Sequence, residues 1–117
     1  MVHEMKLQTK YYDFILNGSK RIELRLYDEK RRKIKLGDII KFRKEENLTE
    51  SFSTRVVGLL RYETFADLFR DFDLALLATA DASMTKEKLE SDLLKFYPLE
   101  KQKQYGVIGL RIEKLNE

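Results

Sequence analysis

Cysteine is absent from this 117-residue chain, and histidine and proline each occur once. Without cysteine the chain forms no disulfide and offers no thiolate to a metal, and a single histidine leaves few routes to a zinc site. We therefore expect no metal, no cofactor and a reducing location, the cytoplasm. No apolar run approaches the roughly 20 residues of a membrane helix, and His3, Glu4 and Lys6 stand where a signal peptide would be apolar. We expect no membrane partner.

Apolar side chains are plentiful, and the charged ones are unevenly spread. Apolar residues make up 43% of the chain and include seven phenylalanines and six tyrosines, enough for one hydrophobic core. We therefore predict a single domain over residues 1–117. Residues 18–35 hold eight cations against three anions, although the whole chain carries only +3. This local excess of five positive charges is a candidate contact for phosphate groups.

Alternating and β-branched residues predict five strands. The clearest alternation covers residues 21–27, with Ile22, Leu24 and Leu26 on one face and charged residues on the other. A long strand at residues 52–62 is interrupted by Gly58, which suggests a bulge. The remaining strands are predicted at residues 2–7, 39–42 and 105–115.

Helical spacing and end signals predict helices between these strands. One helix is expected to begin at the N-cap candidate Thr9, a second at Thr64 in a capping arrangement with Asp67, and a third at about Thr85. Residues 74–80 are predicted as a further short helix or a buried connection, and residues 29–35 as a loop or a short helical turn. Helices inserted between five strands indicate an α+β fold with a small, strongly bent sheet rather than regular βαβ winding.

Glu23 and Arg25 form the candidate site that residue chemistry favours. They lie two positions apart on a predicted strand, so both side chains leave the same face, about 7 Å apart. The planar fork of Arg25 can bind a phosphate or a base edge, and Glu23 can accept a hydrogen bond from an exocyclic amine. Lys20, just before the strand, is expected at the mouth of the same pocket as a mobile cation. A solvated charge pair without a ligand is the competing interpretation.

The basic run at residues 30–33 extends this candidate site. Arg31 and Arg32 can contact phosphates, the flanking Tyr27 can stack on a base, and Lys6 on the first strand is assigned to the same nucleic-acid-binding set. A solvated loop is the competing account of the run, since charge runs are usually solvated.

Other chemically interesting side chains are assigned elsewhere. Tyr11, Tyr12 and Phe14 recur at helical spacing, so they are interpreted as core or the edge of the core rather than as a stacking platform. His3 is expected to face solvent. The sequence contains neither a glycine-rich phosphate loop nor a local signature of a Ser-His or Thr-His pair.

A resemblance to the ASCH domain family lies in residues 15–42, ILNGSKRIELRLYDEKRRKIKLGDIIKF. The shared elements are a helix that ends at glycine, a lysine two residues later, Glu-x-Arg on a strand and a Gly-Asp turn, here Gly18, Lys20, Glu23, Arg25 and Gly37-Asp38. The opening strand and the closing strand also match. The resemblance implies a PUA-like, small bent β-barrel of about five or six strands. It also implies a cleft beside the helix-to-strand junction and a role in RNA binding.

The resemblance raises a hydrolase as an alternative, because some ASCH members are nucleases or amidohydrolases. Relatives that act on acylated cytidine use a lysine, a threonine three residues later and a glutamate ahead of the last helix. Here Lys20 matches the lysine, Glu23 takes the threonine position, and Asp81 is the carboxylate nearest to the third position. Glu23 is expected to hold Lys20 protonated and so make it a poor base. Lys20 and Glu23 are nevertheless the catalytic candidates if the protein is an enzyme.

Three functions follow as hypotheses. The first and favoured one is a module that binds RNA or a modified nucleotide in a cleft lined by Lys20, Glu23 and Arg25. The second is a hydrolase that acts on nucleotides or RNA in the same cleft. The third is an interaction domain whose basic loop docks an acidic protein. Turnover separates the second hypothesis from the others, and the salt dependence of binding separates the first from a mainly apolar protein contact.

Overall fold

A computed structural model describes residues 1–79 and 83–116. Each of the five predicted strands is present, with bounds within two residues of those expected. In chain order the elements are β1 (Val2–Leu7), α1 (Thr9–Leu16), β2 (Ile22–Leu26), α2 (Glu29–Arg32), β3 (Ile39–Lys44), β4 (Ser51–Tyr62), α3 (Phe65–Asp71), α4 (Leu74–Leu77), α5 (Lys86–Phe96), α6 (Leu99–Tyr105) and β5 (Val107–Lys114).

The strands form one curled sheet in the order β1-β3-β4-β5-β2. β1 runs parallel to β3, and the other neighbouring strands are antiparallel. A register shift between Val56 and Gly58 confirms the bulge in β4, and a bulge bends and twists the strand that carries it. The result is a five-stranded half-barrel with helices between the strands, which confirms the predicted α+β, small bent barrel. Its two edge strands are β1 and β2.

An apolar cluster covers each face of the sheet. On the face that packs against α1, Phe42 and Ile108 are buried together with residues of that helix. On the face that packs against α3, α4 and α5, Leu24, Leu68 and Val107 are buried. β5 contributes to both clusters because successive residues of a strand point to opposite faces. The predicted alternation of the closing strand is thereby confirmed.

The ends of the helices follow the predicted signals with one exception. The Thr64 and Thr85 hydroxyl oxygens cap α3 and α5 by accepting hydrogen bonds from backbone N–H groups three residues later. Thr9, in contrast, is the first residue of α1, and Gln8 precedes it without a side-chain capping bond. The predicted cap at Thr9 is therefore wrong. The basic run forms the single helical turn α2, and the span predicted at residues 74–80 begins with α4, its residue 80 lying outside the described part of the chain.

One helix, α6, was not predicted because it has no apolar stripe. Its buried side chain is an amide, that of Gln102, which is 2% exposed. The amide oxygen accepts a hydrogen bond from the Phe65 backbone N–H at 3.0 Å, and the amide nitrogen donates to the Tyr97 carbonyl at 2.8 Å. A polar side chain thus fixes α6 against the start of α3 and the end of α5.

Membrane-spanning helices and clusters of metal-binding side chains are both absent from the described residues. Across residues 1–79 and 83–116, no helix combines the length and apolarity that crossing a membrane would take. The same residues contain no group of three or more histidine, aspartate or glutamate side chains arranged to hold a metal ion.

Candidate functional site

The candidate site lies where the half-barrel is open, between its edge strands β1 and β2. Arg25 on β2 spans this opening, because its Nη2 donates a hydrogen bond to the Lys6 carbonyl of β1 at 2.9 Å. A pocket of about 110 Å³ lies beside this contact, and we call it the seam pocket. It has a polar floor formed by Lys20, Glu23 and Arg25 and an apolar wall that includes Leu93 and residues of the α5 end.

Strand parity directs Glu23 and Arg25 into this pocket. They pair with Leu110 and Ile108 of β5, so they share the sheet face that packs against α1. Glu23 is only 4% exposed. Arg25 Nε donates to Glu23 Oε2 at 2.9 Å. The structure therefore brings these two predicted site residues together, whereas their role in binding stays a prediction.

Lys20 is a buried residue, and its expected position at the pocket mouth is wrong. It follows the turn at Gly18, whose positive φ of 88° is readily adopted by glycine and ends α1. The ammonium donates to the Ile22 carbonyl at 2.6 Å and to the Leu77 carbonyl at 2.7 Å, and it lies 3.6 Å from Glu23 Oε1. Three acceptors thus hold Lys20 in the pocket floor, so it is not a mobile cation.

Burial also reverses the expected effect on the ionisation of Lys20. Removal from water lowers the pKa of Lys20 to about 8, and the nearby Glu23 carboxylate opposes this shift without cancelling it. We expected the charge of Glu23 to raise the pKa of Lys20, and this expectation is wrong because the net shift is downward. At neutral pH Lys20 is still mainly protonated because its pKa lies above 7.

Arg25 keeps its charge in the pocket. Burial acts to lower the pKa of Arg25, but the Glu23 carboxylate and the neighbouring Tyr97 outweigh burial, so the pKa is raised. The floor of the seam pocket consequently holds one carboxylate between two cations. Glu23 Oε2 accepts a hydrogen bond from Arg25. Among the described residues, Oε1 has only the longer contact to Lys20, so it can accept a further hydrogen bond.

The apolar wall contains residues that sequence reasoning did not assign to the site. Phe96 lines the pocket although it is 59% exposed, and Leu93 and Tyr97 lie beside it. Their helical periodicity correctly indicated an apolar face of α5, but periodicity cannot tell which end of that face overhangs an opening. Tyr11, predicted at the edge of the core, is half-buried there and also lines the pocket.

Tyr11 is fixed by a contact with α5. Its hydroxyl donates to Asp92 Oδ2 at 3.1 Å, and its ring centroid lies 5.7 Å from Lys20 Nζ. Burial, followed by the charge of Asp92, raises the pKa of Tyr11 above its ordinary value. Tyr11 therefore stays neutral at physiological pH and offers a ring face beside the cationic floor.

A second depression adjoins the seam pocket on the far side of Arg25, and we call it the basic groove. It measures about 460 Å³ and shares Lys6, Arg25 and Glu45 with the seam pocket. Its other charged lining residues are Glu4, Lys30, Arg31 and Arg43.

Some cations of the basic groove form ion pairs within the protein, and others do not form one with another described residue. Arg43 is engaged by Glu4 at 3.0 Å, and Arg31 by Asp28 at 3.1 Å. Lys6 and Lys30 are exposed and have no ion pair with another described residue. Sequence reasoning included Lys6 and Arg31 but missed Arg43, because nothing local indicates that Arg43 of β3 pairs with Lys6 of β1.

Two predicted site residues lie elsewhere. Tyr27 lines neither the seam pocket nor the basic groove; its ring centroid lies 4.4 Å from the Arg32 Cζ and 4.2 Å from the Arg61 Cζ. The Tyr27 ring, expected to stack on a base, is thus in contact with guanidinium groups. The candidate residues form two separate groups.

His3 and Asp81 complete the comparison with the sequence predictions. His3 does not face solvent as expected, because its side chain is 11% exposed and its Nε2 lies 2.8 Å from Asp38 Oδ2. This contact, with a backbone hydrogen bond from Lys35, lowers the pKa of Asp38 to about 2. Asp81, the carboxylate considered for an amidohydrolase role, lies outside the described residues.

Comparisons with known proteins identify the family of this chain. The ASCH domain family model matches residues 5–116. The crystal structure of hypothetical protein PH0355 is similar with a TM-score of 0.84 and 36% identity, over 98% of this chain and all of that one. The solution NMR structure of Protein PF0455 from Pyrococcus furiosus has a TM-score of 0.75 and 36% identity, over the full length of both chains. No curated protein matched. The chain therefore belongs to the ASCH domain family.

Proposed function

We propose that the seam pocket binds one base of an RNA strand, or a free nucleotide with or without a modified base, while the basic groove holds the neighbouring phosphates. The observation that carries the proposal is the buried Glu23 and Arg25 pair, which opens into a pocket with an aromatic wall. An apolar pocket with a few convergent polar groups is the usual form of a small-ligand site. The proposed location is the cytoplasm, because RNA and nucleotides are abundant there.

The size of the seam pocket, its hydrogen-bond acceptor and its aromatic rings suit a single base. Its volume of about 110 Å³ is below the roughly 300–1,000 Å³ typical of pockets for drug-sized ligands. Glu23 Oε1 can accept a hydrogen bond from an exocyclic amine, and Tyr11 and Phe96 offer ring surfaces for a planar ligand. A base whose sugar lies outside the pocket fits the small volume and also supplies the planar ring and the exocyclic amine.

The basic groove supplies the electrostatic part of the proposal. Lys6 and Lys30 have their ammonium groups available for phosphate, and Arg25 lines both depressions. A phosphate next to the bound base would therefore lie over cations. Phosphate contacts of this kind make affinity fall with salt because counterions are released on binding.

A ligand screen tests the proposal. Nucleosides, nucleotides and short single-stranded RNAs are added to the purified protein, and thermal unfolding and fluorescence anisotropy are measured. A bound ligand raises the melting temperature because it stabilises only the native state. We expect nucleotides and RNA to bind in a salt-sensitive way. Failure of every such ligand, together with binding of an acidic polypeptide, would instead support a protein-interaction domain.

Variants of Arg25 test whether the ligands found in that screen bind in the seam pocket. Arg25→Ala should weaken nucleotide binding about tenfold or more because it removes charge-assisted hydrogen bonds, whereas Lys33→Ala removes one screened cation and should change affinity less than about threefold. Arg25→Lys keeps the charge but loses the fork, and it should also bind more weakly than wild type. Equal effects of Arg25→Ala and Lys33→Ala would contradict the assignment.

The same geometry disfavours hydrolysis of N4-acylated cytidine. Position 23 carries a carboxylate in place of a hydroxyl nucleophile, and the Lys20 ammonium donates to two carbonyls rather than facing a substrate freely. We expect little or no turnover in a direct product assay. Robust turnover that is lost in both Lys20→Ala and Glu23→Ala would refute this and would identify Glu23 as a general base acting on water.

A further inference from the structure

A second cleft lies at the ends of β2 and β4 and the start of β5. Its volume is about 760 Å³, and among the described residues it shares no lining side chain with the seam pocket. Half-buried Tyr27, Tyr62 and Tyr105 line it together with exposed Arg61 and Lys103. We call it the tyrosine cleft. One carboxylate, that of Glu63, is also present in its described lining.

Two arginines contact Tyr27 of this cleft and have donor groups that no other described residue accepts from. Arg61 and Arg32 each hold a guanidinium group within 4.4 Å of the Tyr27 ring centroid. Such contacts engage the flat face of the guanidinium and leave its in-plane N–H groups available. Within the described part of the chain, neither arginine side chain donates a hydrogen bond or forms an ion pair. Positioned guanidinium groups with unused donors are suited to phosphate.

Hydrogen bonds fix the tyrosines around the cleft, and the backbone at Gly106 passes close to the Tyr62 carbonyl. The Tyr62 hydroxyl donates to Asp71 Oδ2 at 2.5 Å, and the Tyr27 N–H donates to the Gly106 carbonyl at 2.9 Å. Gly106 has a φ of 75°, and a Cβ there would lie 3.3 Å from the Tyr62 carbonyl. The glycine thus allows Tyr105 to approach the end of β4. Aromatic rings between cations are the usual composition of a surface for single-stranded nucleic acid.

Helix α2 connects the two groups of candidate residues. Lys30 and Arg31 line the basic groove, and the next residue, Arg32, contacts Tyr27. Cations therefore continue from the basic groove across α2 to the tyrosine cleft. We propose that the tyrosine cleft is a second contact for the same single-stranded RNA strand, a proposal that rests on the function proposed for the seam pocket. One base would occupy the seam pocket, and another would stack on the tyrosines.

Oligonucleotide length and one matched pair of variants test this proposal. Binding of cytidine ribonucleotides, whose base carries an exocyclic amine for Glu23, is measured by fluorescence anisotropy from the mononucleotide to progressively longer strands. Wild-type affinity should increase once a strand is long enough to reach both sites. Arg61→Gln should weaken the binding of long strands at least about fivefold and leave the affinity for the mononucleotide unchanged. Arg55→Gln is the control, because it removes the same charge from an exposed position of β4 outside the described pockets.

The outcomes separate this proposal from the one on which it depends. Mononucleotide binding with equal effects of Arg61→Gln and Arg55→Gln, or with affinity independent of length, would overturn the second contact and leave the seam pocket standing. Absence of mononucleotide and oligonucleotide binding alike would overturn both. Binding of poly-glutamate that depends on Arg61, without RNA binding, would assign the cleft to an acidic protein instead. Photocrosslinks from cytidine strands that carry a single 4-thiouridine to peptides containing Tyr62 or Tyr105 support the proposal independently of any variant.

Discussion

Lys20 shows at the scale of a single residue how a charge can remain in the core of this protein. Its ammonium has three N–H groups, and the carbonyls of Ile22 and Leu77 and the carboxylate of Glu23 surround it. Buried charges are tolerated when they are paired and hydrogen-bonded. Because Leu77 ends α4 and Ile22 begins β2, the lysine also joins two elements. Its structural role and its place in the seam pocket are therefore inseparable.

Replacing Lys20 by methionine should destabilise the protein. Glu23 would lose a neighbouring cation and two buried carbonyls would lose their donor, so we expect the free energy of unfolding to fall by about 3 kcal/mol. Urea unfolding followed by circular dichroism gives this value. Lys33→Met, at an exposed position, is the control and should stay within about 0.5 kcal/mol of wild type. Equal stability of the two variants would show that the three contacts contribute nothing.

The lowered pKa of Lys20 predicts a dependence of stability on pH. The folded lysine releases its proton near pH 8, whereas an unfolded lysine keeps it until about 10.5. Between these values the unfolded state binds more protons, so the free energy of unfolding rises with pH. We expect a rise of roughly 2 kcal/mol between about pH 8 and 10 in wild type relative to Lys20→Met.

Urea titrations of both proteins across that range measure the difference. Tyr11 acts in the opposite direction only above its ordinary value of 10.0, since its pKa is raised in the folded protein. The window therefore reports mainly on Lys20. A difference between wild type and Lys20→Met that stays constant with pH would contradict the lowered pKa.

At the scale of elements, α6 shows that a helix can be positioned by one polar side chain. The first backbone N–H groups of a helix have no hydrogen-bond partner within that helix. The side-chain oxygen of Gln102 in α6 accepts the hydrogen bond from the Phe65 N–H at the start of α3. The same amide also binds the Tyr97 carbonyl at the end of α5. Since α5 forms the wall of the seam pocket, α6 supports the site without lining it.

Gln102→Met should therefore cost stability although it makes the core more apolar. The Phe65 N–H would remain buried without an acceptor, and we expect a loss of about 1–3 kcal/mol in the free energy of unfolding. Gln104→Met lies on the same helix at an exposed position and is the matched control. Guanidinium unfolding of both variants decides the point. A more stable Gln102→Met protein would mean that apolar burial outweighs the two hydrogen bonds.

At the scale of the whole molecule, the distribution of charge matters more than its total. A net charge of +3 is modest for a nucleic-acid-binding protein. Exposed Lys6 and Lys30 lie in the basic groove, whereas equally exposed lysines such as Lys88 and Lys114 lie outside the described pockets. If RNA binds through local contacts rather than through overall electrostatic attraction, the affinity for RNA should depend on Lys6 and Lys30 and not on Lys88 and Lys114.

Two double variants of equal charge test this distinction. Lys6→Gln with Lys30→Gln should weaken binding of a short RNA strand and reduce the slope of log affinity against log salt by about 0.7 for each phosphate that no longer meets a cation. Lys88→Gln with Lys114→Gln removes the same two charges and should leave the slope nearly unchanged. Anisotropy titrations across a salt series measure both slopes. Equal slopes would indicate diffuse attraction instead of a groove.

Features that depend on local periodicity could be predicted from the order of the residues alone. The five strands, the bulge at Gly58 and the cap at Thr64 were predictable because alternation, glycine and capping hydroxyls act over a few residues. The shared face of Glu23 and Arg25 followed from strand parity for the same reason. Membership of the ASCH family could likewise be inferred from residues 15–42, and the family model confirms it.

The surroundings of these residues, in contrast, depend on contacts between distant parts of the folded chain. Lys20 is buried because the Leu77 carbonyl, 57 positions away, meets its ammonium. The end of α5 overhangs the seam, so Phe96 lines a pocket instead of joining the core. Arg61 reaches the Tyr27 ring across the sheet. Long-range contacts of this kind depend on chain topology and on competition with water, and neither is encoded in the spacing of neighbouring residues.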